Sequence, residues 1–106
     1  MSRTDAALIA RSARGDRAAF GELVQRYQDR LFNTVYRLLD NAEDAQDVVQ
    51  DAFLNAYQSL AGFKGDAQFF TWLYRIAVNQ AISLKRKRRL VLSGDARNSG
   101  SMTSSK

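Results

Sequence analysis

NAEDAQDVVQDAFLNAYQSLAG, residues 41–62, is the stretch whose reading decides the fold. Asn41 stands where a helix N-cap belongs. Glu43 and Asp44 follow in the first turn, where negative charge meets the positive end of the helix dipole. Ala45, Val48, Val49, Ala52, Phe53, Ala56, Tyr57 and Leu60 then recur at steps of three and four, an apolar stripe of helical period. Gly62 stops it. The spacing predicts an amphipathic helix that buries one side and leaves the other in water.

The same grammar extends in both directions. Upstream, Asp16 caps a helix over Arg17 to Leu39 whose stripe is Phe20, Leu23, Val24, Tyr27, Leu31, Val35 and Leu38. Gly15-Asp16 separates it from a short helix, Asp5 to Ala13, with Ala7, Leu8, Ile9 and Ala10 as its apolar content. Leu39-Asp40-Asn41 makes the next turn. Downstream, FKGDAQFFTWLYRIAVNQAISLKRKRR (63–89) opens with a Gly-bearing turn, with Asp66 placed as N-cap. A helix of about 33 Å over Ala67 to Arg89 follows, at 1.5 Å per residue. Its core stripe is Phe70, Leu73, Ile76, Ala77, Ala81 and Leu84. There is no Pro in the chain and no useful β-type alternation. Short connections between amphipathic helices make antiparallel neighbours. The expected fold is all-α, a compact four-helix bundle over residues 1–90, with residues 91–106 as a disordered tail or truncated linker. Val48, Val49, Phe53 and Tyr57, like Leu23, Tyr27 and Leu31, are assigned to the core and to no ligand.

Composition narrows the functions. At 106 residues the chain is one domain, and 45% hydrophobic residues is too many for a wholly disordered one. The sequence contains neither Cys nor His. It therefore offers no disulfide, thiolate or zinc site and lacks the usual general base, so no catalytic residue, cofactor or metal is expected. No apolar run is long enough to span a bilayer and no signal segment opens the chain. These features fit a reducing cytoplasm. The net charge of +5 is unevenly placed: residues 1–60 hold seven Lys/Arg against nine Asp/Glu, and residues 61–106 hold nine against two. The second half suits a polyanion.

Two faces carry chemistry. On the third helix, Asp40, Asp44, Asp47 and Asp51 fall on one side. Three readings of that side compete: a solvated face, a carboxylate metal or acid–base site, and a docking surface for a basic partner with Gln46, Gln50, Phe53, Leu54 and Asn55 between the charges. Carboxylate metal sites on helices need His or a second facing cluster, which the sequence does not offer. On the fourth helix, Trp72, Arg75, Asn79, Ser83 and Arg86 fall on a strip beside the core stripe. An aromatic, an amide, a hydroxyl and two guanidinium groups in line can stack a base, read its edge and hold its phosphates. Phe70 is given to the core, and Phe69 fits either side. The run Lys85 to Arg89 exceeds what a helix C-terminus gains from its dipole.

Over roughly Asp5 to Arg89, and most closely in DNAEDAQDVVQDAFLNAYQSLAGF (40–63) and FKGDAQFFTWLYRIAVNQAISLKRKRR, the chain resembles region 2 of bacterial sigma factors of the extracytoplasmic-function (ECF) group. The resemblance implies that the third helix docks on the clamp helices of the largest-type subunit of core RNA polymerase through Asp44, Asp47, Gln50, Asp51, Leu54 and Asn55. It implies a pocket for one flipped base of the promoter minus-ten element in the loop Phe63, Lys64, Gly65, Asp66, Ala67 and Gln68, with Asn79 beside it. The non-template single strand would lie along Trp72, Arg75, Asn79, Ser83 and Arg86. An anti-sigma factor is the implied regulator. A whole ECF sigma factor also carries a helix-turn-helix domain for the minus-thirty-five element, which nothing after Arg89 supplies. The rival readings are a helix-turn-helix binder of duplex DNA, a protein-interaction module for an acidic regulator, and metal-dependent hydrolysis. Relative affinity for single strand and duplex separates the first rival, and sensitivity to a chelator the last.

Overall fold

The computed structural model describes residues 4–63 and 68–92, the side chains of residues 91 and 92 excepted. Four helices follow one another: α1 Asp5–Ala13, α2 Arg17–Leu39, α3 Ala42–Gln58 and α4 Phe69–Leu92, with a 3-10 turn at Leu60–Gly62 after α3. The described residues contain no strand. α2 packs against α1, α3 and α4, and α3 packs against α4, so α2 is the element around which the bundle closes.

The starts of α1, α2 and α3 have a local cause. Thr4 Oγ1 accepts from the Ala7 amide at 3.1 Å, Asp16 Oδ1 from Ala19 at 3.2 Å, and Asn41 Oδ1 from Asp44 at 2.9 Å. Each bond satisfies a donor that the helical ladder leaves over. Asp16 works twice, since its other carboxylate oxygen takes both Arg11 Nε at 3.1 Å and Arg11 Nη2 at 2.8 Å. That pairing and the Ala19 amide hold the Asp16 carboxyl below the usual carboxylate range. Asp40 ends α2 in the left-handed region at φ 53°, a conformation that Asp and Asn tolerate better than other side chains with a Cβ. The expected bounds of α1 and α2 coincide with the observed ones.

The core is continuous: Leu8, Ala19, Phe20, Leu23, Leu31, Val35, Ala45, Val48, Val49, Ala52, Phe53, Ala56, Leu60, Phe69, Leu73, Ala77 and Ala81 are all buried. Ala at six of these positions lets the helix axes approach, because interaxial distance follows the size of the side chains at the contact. Phe20 is packed edge-on to Phe53 and tilted against Tyr57, which fixes α2 on α3. The single buried polar side chain among the described residues, Ser12, donates back to the Leu8 carbonyl at 2.7 Å.

Helix α4 departs from expectation at both ends. Its ladder starts at the Gln68 carbonyl, which accepts from the Trp72 amide at 3.2 Å. Lys64, Gly65, Asp66 and Ala67, including the expected N-cap, lie outside the described residues. At the other end the helix continues to Leu92, past the expected stop at Arg89 and through the first two residues assigned to the tail. The rest of that tail, residues 93–106, lies outside the described residues. The core stripe also shifts by one position: Phe69 is buried at 3% exposure, whereas Phe70, Ile76 and Leu84 are only partly buried at the core's margin. The line Leu73, Ala77, Ala81 extends backward by four residues to Phe69, and the packing of α2 selects that line.

Candidate nucleic-acid interface

The start of α4 is organised by aromatic rings. Phe63, Phe69 and Trp72 form a triangle, with ring centroids 4.8 Å apart for Phe63–Trp72, 5.9 Å for Phe69–Trp72 and 6.1 Å for Phe63–Phe69. Phe69 seals the core. Phe63 and Trp72 are half-buried on top of it. The triangle therefore clamps Phe63 to the first turn of α4. On its other side Tyr27 lies against both Phe69 and Phe70, at 5.8 and 5.6 Å. The Arg30 guanidinium sits 4.0 Å from the centre of the Phe70 ring, a cation–π contact joining α2 to α4. The Tyr27 hydroxyl donates to Asp5, which also takes Arg26 at 2.8 Å. Burial first, and then the Asp5 carboxylate, raise the Tyr27 phenol above its ordinary value.

Beyond the aromatic triangle, Arg75, Asn79, Ser83 and Arg86 are all exposed along α4, with half-buried Trp72 at the head of the strip. Of the expected loop set, Phe63 is half-buried and Gln68 is exposed.

The expected docking residues of α3 divide between two grooves. Asp44, Asp47, Asp51 and Asn55 line a groove of about 570 Å³ against α4, and its far wall is Asn79, Gln80, Ser83, Lys87 and Arg88. Gln50 and Leu54 instead border a groove of about 540 Å³ against α2, lined by Phe20, Val24, Val49, Phe53 and Tyr57. Leu54 is 57% exposed, the most exposed of the large apolar side chains among the described residues. A partner engaging all six α3 residues would straddle the ridge between a charged groove and an apolar one.

In the charged groove, sequence reasoning named Asp44 but misjudged its exposure, and it did not single out Gln80, Lys87 or Arg88. Asp44 is no open rim charge: its side chain is 14% exposed and bound to Arg88 at 2.8 Å. Arg88 itself was read only as one of a cationic run. Gln80 was not singled out, yet its Oε1 is buried without a hydrogen-bond partner. Helical spacing gave a partial signal, since Gln80, Ser83 and Lys87 recur at three and four. It could not say which helix they face.

Comparisons with known proteins place the chain in a family. The family model described as Sigma-70 region 2 matches residues 23–91. RNA polymerase sigma-H factor of Pseudomonas aeruginosa is 48% identical over 77 residues, 73% of this chain and 40% of that protein. The ECF RNA polymerase sigma-E factor of Escherichia coli (strain K12) is 50% identical over 78 residues, 74% of this chain and 40% of that protein. The chain thus spans about two fifths of these relatives' length. Among solved structures, an engineered region 2 of sigmaE in complex with GTAAAA superposes with TM-score 0.79 at 42% identity, covering 87% of this chain and 98% of that one. CnrH in complex with the cytosolic domain of CnrY gives TM-score 0.72 at 34% identity, covering 96% and 66%.

Proposed function

Because this chain belongs to the Sigma-70 region 2 family, as a region 2 domain of the ECF type, we propose that it captures the promoter minus-ten element as a single strand while docked on core RNA polymerase. The observation that carries the reading is the exposed strip Arg75, Asn79, Ser83 and Arg86 running away from half-buried Trp72. A relative of the same fold, 42% identical, binds the hexanucleotide GTAAAA.

The work is done by selection, with no bond made or broken. A surface that binds only unpaired nucleotides stabilises the opened form and shifts the melting equilibrium toward it. Trp72 offers a ring edge and part of a face for stacking. Asn79 and Ser83 offer an amide and a hydroxyl to base edges, and Arg75 and Arg86 offer charge to phosphates. Phe63 and Gln68 bracket residues 64–67, which the family pattern makes the pocket for a flipped base. Extrusion costs a few kcal/mol, which the pocket has to offset.

Asp44, Asp47, Gln50, Asp51, Leu54 and Asn55 on α3 form the polymerase-docking surface in this reading. The charged members steer encounter and Leu54 supplies apolar contact. CnrH bound to the cytosolic domain of CnrY supports an anti-sigma partner for the same domain. No helix of the described residues is long and apolar enough to cross a membrane, in keeping with work on DNA in the cytoplasm. A duplex-reading helix-turn-helix has no need of the aromatic rings gathered at the start of α4.

The test is a low-salt titration of the chain with GTAAAA, its single-base variants and the matching duplex. Tighter binding to the single strand is expected, with one or two positions at which base identity matters and which Asn79→Ala flattens. Equal or stronger binding to the duplex overturns the reading.

A further inference from the structure

Part of the surface assigned to polymerase (Asp44, Asp47, Asp51 and Asn55) and part of that assigned to DNA (Asn79 and Ser83) face each other as two walls of one groove. Asp44, Asp47 and Asp51 face Asn79, Ser83, Lys87 and Arg88 across it. At one end the walls are joined: Arg88 Nη2 lies 2.8 Å from Asp44 Oδ1 and donates to it. The two partners are unequally exposed, 55% for the Arg88 side chain and 14% for Asp44. Arg88 thus covers the carboxylate while most of its own side chain stays in water. Ser83 lies five residues before Arg88, about 7.5 Å along the axis at 1.5 Å per residue. A strand held by Asn79 and Ser83 meets Lys87 one turn further along the same wall and then Arg88, the one of the two that is paired across the groove.

We propose that the Asp44–Arg88 pair is a latch between the two walls, holding back a DNA-contacting guanidinium until a basic partner helix engages the acidic wall. The inference rests on the functional reading above. Exchanging one part-exposed ion pair for another is nearly balanced, because such pairs are individually weak. A basic side chain brought to Asp44, Asp47 and Asp51 therefore competes with Arg88 effectively and releases it toward a phosphate. By linkage the exchange is reciprocal: a phosphate that draws Arg88 away uncovers Asp44 for the partner. Docking on one wall and strand capture on the other reinforce each other with no movement of a helix.

The test compares the salt dependence of GTAAAA binding in the whole chain for wild type, Asp44→Asn, Glu43→Gln and the double variant Asp44→Asn with Arg88→Gln. Glu43→Gln removes the same charge from the same helical turn without touching Arg88. Asp44→Asn is expected to bind a few-fold tighter at low salt and to steepen the slope of log K against log salt by about 0.7, the value of one added phosphate contact on a single strand. The double variant loses that gain, and Glu43→Gln does not reproduce it. Should Asp44→Asn fail to fold, core polymerase supplies the second measurement: the steepening caused by adding it is smaller by about 0.7 in Arg88→Gln than in wild type. Indistinguishable slopes for Asp44→Asn and Glu43→Gln, in a wild type that binds the single strand, overturn the latch alone. A wild type that binds no single strand overturns the functional reading and the latch with it.

Discussion

The two ends of α4 solve different problems with one continuous helix. Its first turns are held by rings: Phe69 is buried, Trp72 and Phe63 lie over it, and Phe70 sits under Arg30. From Lys85 to Leu90 every residue is exposed. There Arg88 pairs with Asp44 across the groove. At the start, a side chain is fixed by packing and its loss is felt in stability. At the end, Arg88 is held by an ion pair rather than by packing, and the exposed charges around it face water, where a polyanion can reach them. The difference teaches that the aromatic and cationic halves of a nucleic-acid strip need not be equally free. Trp72 is the residue at which the two regimes meet.

Three substitutions would break or sharpen this contrast. Phe69→Ala has the largest effect: emptying a buried aromatic position costs about 3–5 kcal/mol, a large part of a small domain's stability, and chemical denaturation read by circular dichroism will show it. A cost under about 1 kcal/mol would mean the first turn is not core-bound. Trp72→Ala should divide its effect. We expect a moderate drop in stability and, at a temperature where the variant is folded, GTAAAA binding weaker by about 1–3 kcal/mol irrespective of base, the worth of one stacked base. Unchanged affinity would make Trp72 purely a packing residue and move the boundary one turn along the helix. Arg86→Gln has the smallest effect. Stability should stay within about 0.5 kcal/mol, and the salt slope of single-strand binding should fall by about 0.7. A denaturation midpoint that moves instead would place Arg86 among the structural residues.

Much of the fold was legible because its causes are local. Asp16 and Asn41 cap α2 and α3 through bonds to residues three positions on, so a short window holds all the information. The α3 stripe from Ala45 to Leu60 is buried nearly as read, with Tyr57 at its margin. The choice between Phe69 and Phe70 was not legible. Leu73 is consistent with a core neighbour at either three or four residues back, and only the way the helices pack together buries Phe69 and leaves Phe70 at the margin. The acidic side of α3 was legible as a surface but not as two surfaces. Gln50 and Leu54 turn toward α2, and Asp44, Asp47 and Asp51 toward α4.

From the sequence by itself come the four helices, the caps of α2 and α3, most of the buried stripes of those two helices, the segregation of charge into the second half and the resemblance to a family. All of these rest on residues within a few positions of one another or on composition. Tertiary structure alone decided that Asp44 belongs to Arg88, 44 residues away, and that Asn79 and Ser83 look across a groove at three carboxylates. Helical period fixes the angle at which a side chain leaves its own axis. What stands opposite depends on how the helices pack, and that is set by every contact in the core together.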